Sequence, residues 1–153
     1  MTGLVLGLLS EWTGPTARSA GTLDAMDSLS TDTELAGDAS LIVTEADTAI
    51  ALGTGDVPVL STSRLIALIE AAAVAALDGA LPDDMTSVGV SLSIDHIAPS
   101  GVGATVRASA VLEAIDDAAL EFVIEAADGE TLVAVGGHTR VIVERDRFLA
   151  RVE

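Results

Sequence analysis

A chain of 153 residues, half of them hydrophobic and 20% charged, suits a single domain with a sizeable core. Twenty-four acids oppose seven arginines and no lysine, and the resulting net charge of −17 argues against nucleic acid and against an anionic membrane as partners. Cysteine is absent, which excludes disulfide frameworks and Cys-based metal sites; with two histidines a His-rich metal site is not expected either, nor is a cofactor.

Residues 1–36 read as an N-terminal extension, set apart from a domain over 37–153. LVLGLLSEW has the pattern of a short amphipathic helix that could pack as a lid through Leu4, Leu8 and Trp12. The stretch after it is small, polar and loop-like. The opening lacks the basic residues of a signal peptide, and no apolar run is long enough to span a bilayer, so the expected location is cytoplasmic. Residues 39–44 (ASLIVT) predict a first strand, and EADTAIALGTGD a short helix or turn leading to the longest apolar stretch.

That stretch, 58–78, predicts the central helix. Pro58 blocks an earlier start, and Ser61, Thr62 and Ser63 are candidate N-caps. From 65 to 77 every residue but Glu70 is apolar, the pattern of a helix buried on most of its circumference. Two environments are open to Glu70: an exposed stripe with Arg64 and Asp78, or an apolar one. In the second, desolvation pushes a carboxyl pKa up towards the range of a general base.

From Thr86 the apolar period becomes two. Val88, Val90, Leu92, Ile94 and His96 fall on one face by strict alternation, with Ser87, Gly89, Ser91, Ser93 and Asp95 on the other. Pro99-Ser100-Gly101 marks a turn. Residues 104–115 alternate again, Leu120, Phe122, Ile124 and Ala126 form a further apolar face, and Asp128-Gly129 is a hairpin signal ahead of a last strand over 131–144. Strand, long helix and four strands on short connections predict an α+β fold with an antiparallel sheet. One helix covers only part of such a sheet and its edges stay open, so a homodimer is expected.

His96 is either a core residue or, near a strand end beside Asp95, a proton carrier. Gly89 and Gly136-Gly137 mark either bulges or places where a ligand or another backbone comes close. Arg140, on one face with His138 and Ile142, meets either a surface acid or a buried carboxylate or anionic ligand. Thr62 and Glu70, if both helical, stand about 12 Å apart along the axis and do not touch.

The segments PVLSTSRLIALIEAA, SVGVSLSIDHIAPSG and GGHTRVIVERDRF resemble the hotdog-fold thioesterases typified by fluoroacetyl-CoA thioesterase. In that family a Thr precedes the central helix and a Glu follows eight residues later. A His comes seven residues after a Gly in the next strand, and an Arg lies in a G-x-H-x-R-like segment. Thr62, Glu70, Gly89, His96 and Arg140 keep that order and both intervals, within a resemblance spanning roughly residues 37–150. It implies a hotdog sheet wrapped around one helix, and a homodimer with sites at its interface. It also implies hydrolysis of an acyl-CoA by Thr62, Glu70 and His96, with Gly89 and Arg140 lining the acyl pocket. The fluoroacetyl-specific pattern has lid phenylalanines just before the Thr, where this chain has Asp56, Val57 and Leu60; a short or otherwise modified acyl group is therefore expected.

A non-enzymatic hotdog dimer that binds a thioester or another small ligand is the alternative of a different class. An enoyl-CoA hydratase is a weaker one, because the Asn-Pro-containing Asp/His spacer of those enzymes is missing. For the phosphates of CoA the sequence offers Arg64, Arg107, Arg145 and Arg147 without choosing among them.

Overall fold

The computed structural model describes Leu29 and residues 34–152. The lid expected of Leu4, Leu8 and Trp12 lies outside the described residues. Strand β1 (Ala36–Ile42) is followed by a 3₁₀ turn (Glu45–Asp47) and helices α1 (Ala49–Leu52) and α2 (Thr62–Ala76). Strands β2 (Met85–His96), β3 (Thr105–Asp116), β4 (Ala119–Asp128) and β5 (Thr131–Glu144) come next, then a short helix α3 (Arg145–Leu149). The strands form one antiparallel sheet in the order β1-β3-β4-β5-β2, which leaves β1 and β2 as its edges.

β1 starts and ends earlier than its apolar residues suggest. Ala36, Gly37 and Asp38 have little strand propensity but pair with Val111, Ala110 and Ser109, whereas Thr44 leaves the ladder to cap the 3₁₀ turn. The β4–β5 hairpin follows its alternation closely: Leu120, Phe122, Ile124 and Ala126 are all buried.

α2 starts where a hydroxyl is available to cap it. Ser61 is the N-cap, its Oγ accepting from the Arg64 N–H at 3.1 Å. The helix lies chiefly against β1 and β3 and buries Leu65, Leu68, Ile69, Ala72, Ala73 and Ala76. It is not covered on most of its circumference as its composition suggests, since Ala67, Ala71, Val74 and Ala75 are exposed. Alanine is small enough to line either face, so an alanine-rich helix does not show which side is inward. Among the described residues no helix is long and apolar enough to cross a membrane.

The alternation expected of β2 fails at one point. Gly89 pairs with Arg140 and Ser91 with Thr139, so Val90 is an extra residue without a partner. Before it, Ser87 and Gly89 lie opposite the inward Ile142 and Arg140; after it, Leu92 and His96 lie opposite the inward His138 and Ala134. Gly89 therefore shares a face with Leu92 and His96, and Val88 does not.

Candidate active site

The lead-in to α2 is tied down from three directions. The Ser61 N–H donates to the Asp47 carbonyl at 3.0 Å, the Leu60 N–H to the Ser100 carbonyl at 2.8 Å, and the Ala49 N–H to the Val59 carbonyl at 2.9 Å. Asp47, 8% exposed, accepts from the Thr44 N–H and hydroxyl at 2.8 and 2.7 Å and from Arg64 Nε at 2.9 Å. The Thr44 N–H, the Thr44 hydroxyl and then Arg64 hold its carboxyl below the usual range, against the opposing effect of burial.

Thr62 is thereby fixed as the first residue of α2, and its Oγ1 lies 2.9 Å from His96 Nδ1 at the end of β2. His96 Nε2 is buried and has no hydrogen-bond partner among the described residues. Burial lowers the His96 pKa from 6.5, with a smaller opposing contribution from the Ala98 backbone, so the ring is neutral at pH 7. The pair borders a cleft of about 390 Å³, a volume suited to a small ligand, with Asp56, Val57, Ala98 and Pro99 also in its wall. Of the three residues that stand in place of lid phenylalanines, Asp56 and Val57 are exposed at this wall and Leu60 is buried, 1% exposed.

Glu70 belongs to a second cluster. A β-carbon built on Gly89 would stand 2.5 Å from Glu70 Oε1 and 3.1 Å from His138 Cε1, so the carboxylate occupies the space that glycine leaves empty. His138 Nε2 is 3.9 Å from the same oxygen. The apolar surroundings expected of Glu70 are incomplete within one chain: its side chain is 46% exposed because it lies over β2, the open edge of the sheet. Arg140 is 5% exposed and binds Ser87 and His138, with Glu70 in electrostatic range, instead of pairing with a surface acid. Gly136 is a close approach of the second kind, since a β-carbon there would collide with the Ser93 carbonyl on β2.

The five residues singled out by spacing thus form two groups, Thr62–His96 and Glu70–Gly89–Arg140. A step of eight helical residues puts Thr62 and Glu70 about 12 Å apart, and the seven-residue step from Gly89 to His96, one of them the bulge residue, spans about 20 Å. Of the four arginines available to phosphate, Arg64 is held by Asp47 at 2.9 Å and Arg107 by Asp38 at 2.7 Å, while Arg145 and Arg147 are exposed on α3.

A family model for fluoroacetyl-CoA-specific thioesterases matches residues 43–146, which span every residue of both groups. The chain belongs to that family. It is a thioester hydrolase of the hotdog fold, and its curled sheet with α2 packed against it is the family's architecture. The fluoroacetyl-CoA thioesterase of Streptantibioticus cattleyicolor is 29% identical over 94 residues, covering 61% of this chain and 68% of that protein. A solved structure of a fluoroacetyl-CoA thioesterase superposes with a TM-score of 0.71 at 25% identity, covering 76% of this chain and 91% of the other. A hot-dog-like protein from Thermanaerovibrio acidaminovorans gives a TM-score of 0.70 at 26% identity, over 76% and 87% of the two chains.

His138 and Ser87 were not singled out from the sequence as site residues. His138 and Arg140 two apart on an inward face was the available signal; the bulge that turns Ser87 towards them gave none.

Proposed function

We propose that this thioesterase hydrolyses a short or modified acyl-CoA to the free acid and CoA, at a site assembled from two copies of the chain. The observation that carries this reading is the Thr62 Oγ1 to His96 Nδ1 contact of 2.9 Å, combined with a buried His96 Nε2 that has no hydrogen-bond partner among the described residues. A hydroxyl beside a neutral imidazole supplies the nucleophile and the base of a nucleophile–base–orienter arrangement, whose third member would be an acid on Nε2.

Glu70 can supply that member only from another copy. β2 has its outer edge open, and antiparallel pairing of two β2 strands about a twofold axis at Ser93, with Val90 surplus on this side too, would set Gly89 of one protomer opposite His96 of the other. The partner's Glu70 would then approach His96 Nε2, and the pairing would shield a carboxylate that one chain leaves half exposed.

In this arrangement the imidazole takes the Thr62 proton as Oγ1 adds to the thioester carbonyl, and the tetrahedral adduct collapses with loss of the CoA thiolate, which takes that proton. Water, deprotonated by the same ring, then releases the acid and restores Thr62. The first-turn N–H groups of α2 adjoin the reacting carbonyl and favour its developing negative charge. Asp56 and Val57, in place of lid rings, leave the cleft wall open, which supports acyl groups other than fluoroacetyl.

Thiol release from a panel containing acetyl-, propionyl- and fluoroacetyl-CoA tests the assignment. Thr62→Ala, His96→Ala and Glu70→Gln are each expected to lower kcat by about 10³-fold or more with the fold retained. Full activity in all three folded variants would place the chemistry elsewhere.

A further inference from the structure

The extra residue in β2 would ordinarily be a weak point, where a strand bends and ladder bonds are lost. Here two side chains of β5 close it from both sides. His138 Nδ1 donates to the Ser91 carbonyl at 2.8 Å, just past Val90. Just before Val90, Arg140 donates from Nε to Ser87 Oγ at 2.9 Å and from Nη2 to the Ser87 carbonyl at 3.0 Å. The two side chains are also joined to each other, Arg140 Nη1 lying 3.2 Å from His138 Nε2, and both are buried.

Counting donors and acceptors leaves one protonation state for this ring. A carbonyl only accepts, so Nδ1 carries a hydrogen; a guanidinium only donates, so Nε2 presents its lone pair. His138 is neutral and has no proton to offer Glu70 Oε1, 3.9 Å away. That contact is therefore no ion pair, and the positive group in electrostatic range of Glu70 is Arg140. The remaining two N–H groups of the guanidinium are uncommitted by the bonds described.

We propose that His138 is a positioning residue for Glu70: by bonding the Ser91 carbonyl and Arg140 at once, it locks the β2 bulge and turns the guanidinium to face the carboxylate that rests on Gly89. Its burial, 2% exposed, removes competing water, and Gly89 leaves Glu70 a single seat between the bulge and the ring. The catalytic arm of the test rests on the thioesterase reading above, whereas the spectroscopic arm does not.

The spectroscopic arm is nitrogen-15 NMR of the histidine rings in the full wild-type chain at pH 7, with His138 assigned by comparison with a His96→Gln variant. The Nδ1–H tautomer is expected for His138; an Nε2–H tautomer or an imidazolium overturns the proposal whether or not the protein turns over a thioester. The catalytic arm uses two substitutions that each keep half of the linkage. His138→Asn retains a donor towards the Ser91 carbonyl, and His138→Gln retains an acceptor towards Arg140. Each is expected to lower kcat for the best substrate of the panel by about 10- to 100-fold, with KM changed by less than about threefold because substrate contacts are untouched. A kcat within about twofold of wild type in both variants overturns the proposal while Glu70→Gln remains impaired. Should the wild type hydrolyse nothing in the panel, the thioesterase reading fails and the tautomer alone decides the role of His138.

Discussion

Glu70 and Gly89 are matched across the helix–sheet interface: the carboxylate oxygen sits where a side chain on Gly89 would begin, 2.5 Å from the position of a β-carbon. The obstructed atom is the far end of a flexible side chain, so Gly89→Ala displaces Glu70 instead of breaking the fold. Stability is expected to change by no more than about 1 kcal/mol, while kcat falls by about 10- to 100-fold. Thermal melting and thiol release on the same sample check both halves. An alanine variant with wild-type turnover would show that this seat of Glu70 is not needed.

Mixing experiments test whether the acid comes from a second copy. Glu70→Gln and His96→Ala homodimers should each be inactive. After mixing and re-equilibration, half the dimers carry one intact composite site, so activity should return to about a quarter of wild type. No recovery, with subunit exchange verified by mass spectrometry, would place all three groups in one protomer.

Acidification should act through both histidines. Burial holds His96 and His138 below 6.5, so below that value the unfolded chain binds protons that the folded chain resists. The stability each neutral ring contributes is complete above about pH 6.5 and is lost as pH falls through the folded pKa. Relief of acid–acid repulsion runs the other way but affects a His96→Gln variant equally, so the difference in denaturation midpoint between wild type and variant isolates the ring. Wild type should lose ground to the variant from pH 7.5 to 5.5. kcat/KM should fall as His96 takes up a proton, because the ring must be neutral to accept one from Thr62. The partner's Glu70 opposes the effect of burial, so Glu70→Gln should move this acid limb to lower pH. An acid limb that Glu70→Gln and His96→Gln both leave in place would identify some other base.

Salt should lower KM. A chain of net charge −17 repels the phosphates of CoA at long range, and Arg64 and Arg107 are already engaged by acids. Raising ionic strength shortens the reach of that repulsion from about 10 Å at 0.1 M to about 3 Å at 1 M. Steady-state kinetics from 0.05 to about 1 M salt should show KM falling with kcat little changed. A KM that rises steeply would mean the exposed arginines of α3 dominate the encounter.

The strands β4 and β5 were legible because each buries one face and alternates without interruption. Ser61 at the start of α2 was among the legible caps, and the order and intervals of Thr62, Glu70, Gly89, His96 and Arg140 were enough to suggest the family. Three things were not legible. Alternation counts residues, so it could not register Val90 as surplus, and it placed Gly89 opposite His96 when the two share a face. The chain N-terminal to Ile42 extends by pairing with β3 where its own propensities are poor. The surroundings of Glu70 depend on what lies beyond an open strand edge, a property of assembly that local patterning does not encode.

The unpaired Val90 also reconciles an odd count with a shared face. Seven steps separate Gly89 from His96, and in a regular strand an odd number of steps sets two residues on opposite sides. The surplus residue cancels the oddness, so both turn inward. Deleting Val90 would leave Gly89 opposite Arg140 and Ser91 opposite Thr139, an uninterrupted ladder in which no named side chain is turned over.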